Sequence, residues 1–214
     1  MKELFNKPKI IGVCGDVNNG KSMLLYHMLE TLADDHKFKL YTYGLRLKFG
    51  KSRQIYSVAE MEQIRNSIII IDELSSLFDL DNRKVKKLIE NSLRLINHNN
   101  NILVICGTPE NFKKFISAKL DYLIMKKTTL SDCINGSRLK NIITNYKGNE
   151  RGSEVLNLRV EEALIFDGMH YEKIDVPYYQ KYDSKSENVP ILVSKNVQKT
   201  CKKKKCKKCQ KKLN

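Results

Sequence analysis

"GDVNNGKS", Gly15 to Ser22, lies between the apolar run "KIIGVC" (9–14) and "MLLYHMLETL" (23–32). It matches G-x-x-x-x-G-K-[ST], and Leu24, Leu25, Met28, Leu29 and Leu32 recur after it at helical spacing, which predicts a strand, a loop and a helix in that order. Glycine lets the backbone curl until successive N–H groups point inward. Such a concavity, backed by the partial positive charge of a helix N-terminus, suits a polyphosphate. The pattern therefore predicts a nucleotide-binding loop formed by Gly15, Asp16, Val17, Asn18, Asn19, Gly20, Lys21, Ser22 and Met23. Lys21 is expected to neutralise the β and γ phosphates and the Ser22 hydroxyl to ligate magnesium, so ATP and Mg2+ are the expected cofactors.

A metal held this way needs a carboxylate at the end of a neighbouring strand. "SIIIIDELSS" supplies one: Ile68 to Ile71 is a β-branched run suited to a strand buried on both faces, and it ends in Asp72 and Glu73. Asp72 is expected to hold the magnesium, directly or through water. Glu73 is expected to act as the catalytic carboxylate that orients or deprotonates the water attacking the γ phosphate.

The rest of the body alternates between strand and helix signals, which predicts an α/β chain with a mostly parallel central sheet flanked by helices, a P-loop NTPase arrangement. "FKLYTYG", "SIIIID", "NILVICGT" and "DYLIMKK" read as strands; "VAEMEQIRN", "RKVKKLIENSLRLINH" and "PENFKKFISAKL" read as helices, the second with Val85, Leu88, Ile89 and Ile96 on one stripe. "YKGNERGS" reads as a loop, and "EEALIFDGMHYEKIDV" as a C-terminal β-hairpin turning at Asp167-Gly168. One ATPase domain is expected over residues 1–181, followed by a flexible, disordered tail over 182–214.

Charge is concentrated in that tail. Of the formal net charge of +15, ten lysines lie between Lys195 and Asn214 with no Asp or Glu among them, which leaves a mildly basic body of +5. A polycationic tail contacts phosphate without reading bases and weakens with salt, so DNA is an expected partner; a transport receptor or an acidic membrane surface fits the same charge. Cys14 and Cys106 fall in apolar runs and read as buried hydrophobes. Cys201, Cys206 and Cys209 have the spacing of three zinc ligands without a fourth, against which stands the reading of incidental thiols in a lysine tail. No apolar run approaches the roughly 18 residues that span a bilayer, and no signal peptide is evident, so a cytoplasmic protein without a transmembrane segment is expected.

Two further positions bear on catalysis. Thr108 falls at the tip of the strand expected beside the acidic one, where it can touch the attacking water or cap the helix opening at Pro109. Arg94, with Arg83 and Arg138 as substitutes, is the candidate for an arginine supplied to a neighbouring subunit's site.

The order of "GDVNNGKS", "IIIIDEL", "RLINHNNN", "ILVICGT" and "NFKKFISAKLDYLIMKK" over about Lys9 to Lys127 resembles the FtsK and HerA superfamily of DNA-pumping ATPases, which includes small viral packaging ATPases and zonular occludens toxin-like ATPases. The resemblance implies a homo-oligomeric ring, often hexameric, that uses ATP to move or package DNA for a virus, phage or mobile element. Members usually carry a glutamine where this chain has Thr108. Two other classes bind ATP through such a loop: a nucleoside-type kinase, whose "YGLR" stretch here (43–46) precedes rather than follows the acidic strand, and a nucleotide-gated scaffold, which has no need of Glu73.

Overall fold

The computed structural model describes residues 2–33, 38–45, 52–73, 79–129 and 150–176. The expected boundary at 182, the basic tail with Cys201, Cys206 and Cys209, and Arg138 lie outside the described residues.

The apolar runs form the middle of a sheet because each alternates its side chains between two cores. Strands β1 (Lys9–Cys14), β4 (Ser67–Ile71) and β5 (Ile102–Gly107) are buried along their whole length. In β4, Ile69 and Ile71 join one cluster while Ile68 and Ile70 join the other; in β5, Leu103 and Ile105 part from Ile102, Val104 and Cys106 in the same way. Helix α1 (Lys21–Ala33) covers one face with Leu24, Leu25, Met28 and Leu29, joined by Leu4 and Phe5 from a 3-10 turn (Lys2–Phe5). Helices α2 (Val58–Met61) and α3 (Arg83–His98) cover the other. A residue pattern apolar on both faces is what a parallel sheet between helix layers requires.

Among the described residues the sheet has eight strands in the order β3-β2-β4-β5-β1-β6-β7-β8, with β2 (Lys39–Tyr43), β3 (Arg53–Gln54) and β6 (Tyr122–Met125) parallel to β1. Strands β7 (Glu162–Phe166) and β8 (Tyr171–Asp175) complete it as an antiparallel hairpin. The fold class is the expected one, a mostly parallel sheet between helices with a C-terminal hairpin.

Several details differ from the sequence reading. The acidic strand β4 is not beside β1; β5 is inserted between them, paired Ile71↔Ile105 on one side and Cys14↔Gly107 on the other. Helix α3 has the expected ends, but Leu88 faces solvent, while Ser92 and Leu93 complete the buried stripe. "PENFKKFISAKL" breaks into a 3-10 turn (Pro109–Asn111) and a four-residue helix α4 (Lys114–Ser117). The stretch expected as a loop instead enters helix α5 (Glu150–Asn157), because burial of Val155 and of Leu158 just beyond it rewards helix despite the local Gly and Ser. The hairpin turn is centred on Gly168-Met169: Asp167 N–H donates to His170 O, and Asp167 Oδ1 accepts from the N–H groups of Met169 and His170.

The amino-terminal ends of β4 and β5 are laced by asparagines from "NHNNN". Asn101 Oδ1 accepts from Ser67 N–H at 3.0 Å and its Nδ2 donates to Ile64 O at 2.8 Å; Asn99 Nδ2 donates to Glu62 O at 3.1 Å, and Asn100 Nδ2 to Asn66 Oδ1 at 2.8 Å. These residues fix the register at the edge opposite the glycine loop.

Candidate nucleotide-binding site

Parallel strands deliver their carboxyl ends to one edge, and there the sheet brings together Gly15–Ser22 after β1, Asp72 and Glu73 after β4, Thr108 after β5, and Lys126 and Lys127 after β6. Antiparallel β7 brings its beginning, the turn Arg159–Glu162, to the same edge.

The loop takes a curled path. Asn18 (φ 62°) and Gly20 (φ 78°) adopt left-handed backbone, and Leu24 N–H donates to Gly20 O at 3.0 Å to start α1. Asp16 N–H and Asn19 Nδ2 both donate to Lys127 O, at 2.9 and 3.0 Å, which pins the loop to the end of β6. A Cβ on Gly15 would lie 2.6 Å from Lys126 Cβ, so only glycine fits there. Lys21 Nζ donates to Asp16 O at 2.7 Å, folded across the hollow that the loop encloses.

Ser22 and Asp72 meet in spite of the intervening strand. Ser22 Oγ donates to Asp72 Oδ2 at 3.2 Å. Asp72 Oδ1 is buried and has no hydrogen-bond partner, an expensive condition for a carboxylate oxygen unless a ligand completes it. Burial pushes the Asp72 carboxyl above its ordinary range, while the neighbouring Cys106 thiol and the Ser22 hydroxyl pull it the other way; burial likewise raises the Cys106 thiol well above its ordinary value. A serine hydroxyl beside a carboxylate with one uncommitted oxygen is a hard-oxygen donor set that fits magnesium. Glu73 follows at φ 51°, exposed, in a backbone region that costs a non-glycine residue about 1–2 kcal/mol.

Thr108 stands at the tip of β5, and its side chain makes no capping bond to the turn after it; Oγ1 instead accepts from Asn111 Nδ2 at 3.0 Å. The sequence reading missed Asn111. Its one available signal was a polar residue three positions after Thr108, where an amide can reach back. Arg83 opens α3 at the edge that carries the glycine loop. Arg94 lies on the exposed side of α3, about 16 Å further along the axis toward the asparagine-laced edge at 1.5 Å per residue.

Lys126 carried no expectation, because a lysine just past an apolar strand reads as solvated. It is fully buried. Its stem runs beneath the loop, and Nζ donates to Val160 O and to Glu162 O, the latter at 2.7 Å. Burial lowers its pKa to about 8, against the pull of Glu161 and Glu162.

No family model and no curated relative matches the chain. Solved structures match its fold. B204, the DNA-packaging ATPase of Sulfolobus turreted icosahedral virus, superposes with a TM-score of 0.60 at 19% identity over 79% of this chain and 98% of its own. The genome packaging NTPase B204 of Sulfolobus turreted icosahedral virus 2, in complex with AMPPCP, gives 0.60 at 17% identity over 80% of this chain and 98% of its own. The cytoplasmic domain of the Thermomonospora curvata type VII secretion ATPase EccC gives 0.55 at 11% identity; 81% of this chain is covered, and 24% of that one. The chain thus has a P-loop NTPase fold, like these structures. Among the described residues no helix is long and apolar enough to cross a membrane.

Proposed function

We propose that this chain is a magnesium-dependent ATPase that works as an oligomeric motor translocating or packaging DNA for a virus, phage or mobile element, in the cytoplasm of its host. The observation that carries the ATPase reading is the meeting of Ser22 Oγ with a buried Asp72 whose Oδ1 lacks a partner, beside a glycine loop whose lysine is free to exchange a backbone carbonyl for a phosphate.

In this reading Lys21 leaves Asp16 O for the β and γ phosphates, and the curled loop from Gly15 to Met23 presents N–H groups to them. Ser22 and Asp72 hold magnesium, which neutralises phosphate charge when bound with ATP. Glu73, exposed beside the site, accepts the proton of the attacking water. Thr108, with its hydroxyl already engaged by Asn111, orients that water or the γ phosphate. Arg83, at the phosphate edge, is better placed than Arg94 to reach across a subunit boundary from this edge.

The DNA reading is supported by fold likeness to proteins described as packaging ATPases and by the ten lysines of residues 195–214, which give sequence-independent attraction to phosphate. The test is steady-state ATP hydrolysis by the full chain with and without long double-stranded DNA, with Glu73→Gln alongside. The expected result is stimulation by DNA and a loss of about 10²-fold in rate for Glu73→Gln with ATP affinity nearly unchanged. Hydrolysis indifferent to DNA would remove the motor reading, and phosphate transfer to an added nucleoside would replace it with a kinase.

A further inference from the structure

The buried Lys126 is a feature that nucleotide chemistry does not by itself require. Its Cβ packs against Gly15, and its Cε lies 3.5 Å from where a Gly20 Cβ would stand, so the stem passes under both glycines of the loop. That Gly20 Cβ would also lie 3.1 Å from both Val160 Cγ1 and Val160 O, the carbonyl to which Lys126 Nζ donates. The floor of the loop is therefore the lysine stem together with the turn that opens β7.

That turn is tied in turn to the end of the described chain. Glu162 pairs with Asp175 across the hairpin, its carboxylate accepts from Lys173 Nζ at 2.9 Å, and Val176 N–H donates to Glu161 O. The residues after Val176 lead into the lysine-rich segment.

We propose that Lys126 is a positioning residue that couples occupancy of the phosphate loop to the Arg159–Glu162 turn and the departure point of the C-terminal segment. The inference rests on the nucleotide reading above. Its physical basis is lack of slack: a Cβ at Gly15 would collide with the Lys126 stem and one at Gly20 would crowd Val160, so the loop has little room to shift around an incoming anion without moving the stem. The ammonium holds two backbone carbonyls of the turn, so a displaced stem drags the turn with it. A buried lysine otherwise costs stability through desolvation, and an apolar residue of similar length would fill the same space.

The test is amide hydrogen exchange on the full chain, with and without AMPPCP and magnesium chloride, in the unsubstituted protein and in Lys126→Met. In the unsubstituted protein the nucleotide is expected to slow exchange over Gly15–Ser22 and also, by about threefold or more, over Val160–Leu164. In Lys126→Met the loop is expected to keep its protection while the nucleotide-dependent change over Val160–Leu164 disappears. A lysine with a merely structural role would raise exchange equally with and without nucleotide and leave the difference intact. Absence of loop protection in the unsubstituted protein overturns the nucleotide reading and the coupling together. Loop protection with a silent turn, or with the same distal protection in Lys126→Met, overturns the coupling alone, and the first of these needs no variant to fold.

Discussion

The two ends of β4 and β5 contrast sharply. At their amino ends the asparagines saturate one another and the backbone: Asn101 satisfies Ser67 N–H and Ile64 O, and left-handed Asn66 (φ 50°) and Asn100 (φ 54°) are joined by a side-chain hydrogen bond. At their carboxyl ends Asp72 Oδ1 has no partner and Glu73 occupies left-handed backbone. The same two strands thus end once in closed hydrogen bonding and once beside a buried carboxylate oxygen without a partner. Polar atoms without partners and strained backbone are tolerated where rigid surroundings hold them, and they gather at sites that bind.

The largest expected effect breaks the open end only. On the proposed reading Lys21→Ala removes the cation that meets the phosphates and should lower ATP turnover by about 10²-fold or more, while the circular dichroism spectrum and unfolding midpoint stay close to the parent's, because the bond it loses among the described residues is one to a loop carbonyl. A variant that also unfolded would show that the loop is part of the stability core.

The reciprocal substitution is Asn101→Ala at the closed end. It strands Ser67 N–H and Ile64 O in a fully buried place, which should cost about 2–3 kcal/mol in urea unfolding. Nucleotide affinity of the molecules that remain folded should not change, since the substitution lies at the far edge of the sheet. Weakened affinity in that fraction would mean that the two ends are not independent.

How much of this contrast was legible in the sequence depends on whether a feature is set by neighbours along the chain or across the sheet. The loop, the β-branched run with its terminal acids, and the exact span of α3 follow from local pattern, since spacing alone places glycines before a helix or isoleucines on both faces of a strand. The insertion of β5 between β1 and β4 is a pairing choice that no stretch of residues announces. Helix α5 was hidden because its Gly and Ser argue for a loop, and only burial of Val155 and Leu158 decides otherwise. Lys126 was hidden for the opposite reason: its burial is bought by two carbonyls 34 and 36 residues away.

A smaller effect sharpens the comparison at Glu73. Replacing it by glycine relieves the left-handed strain, offset in part by glycine's greater freedom in the unfolded chain, and should stabilise the fold by about 0.5–1 kcal/mol while slowing hydrolysis. A gain in stability with a loss of rate is the signature of strain kept for function. Glycine that leaves stability unchanged would show that Glu73 recovers its strain through other contacts.

A last test asks whether saturation is confined to the amino ends. Glu162 sits at the edge that carries the glycine loop yet is fully engaged: it accepts from Arg159 N–H at 2.9 Å, from Lys173 Nζ at 2.9 Å and from Arg159 Nη2 at 3.0 Å. These bonds, led by the Arg159 backbone N–H, hold its carboxyl at about 2 against an ordinary 4.5. Because the folded value lies below the unfolded one, the unfolded chain takes up the proton first as pH falls. The stabilisation is therefore complete above about 4.5 and is lost as pH falls through about 2. The denaturation midpoint of the parent should exceed that of Glu162→Gln by a constant amount from about pH 7 to pH 5, and the two should converge on further acidification. A gap that does not depend on pH would assign the difference to packing rather than charge, and would place the Arg159–Glu162 turn with the open end of the sheet instead of the closed one.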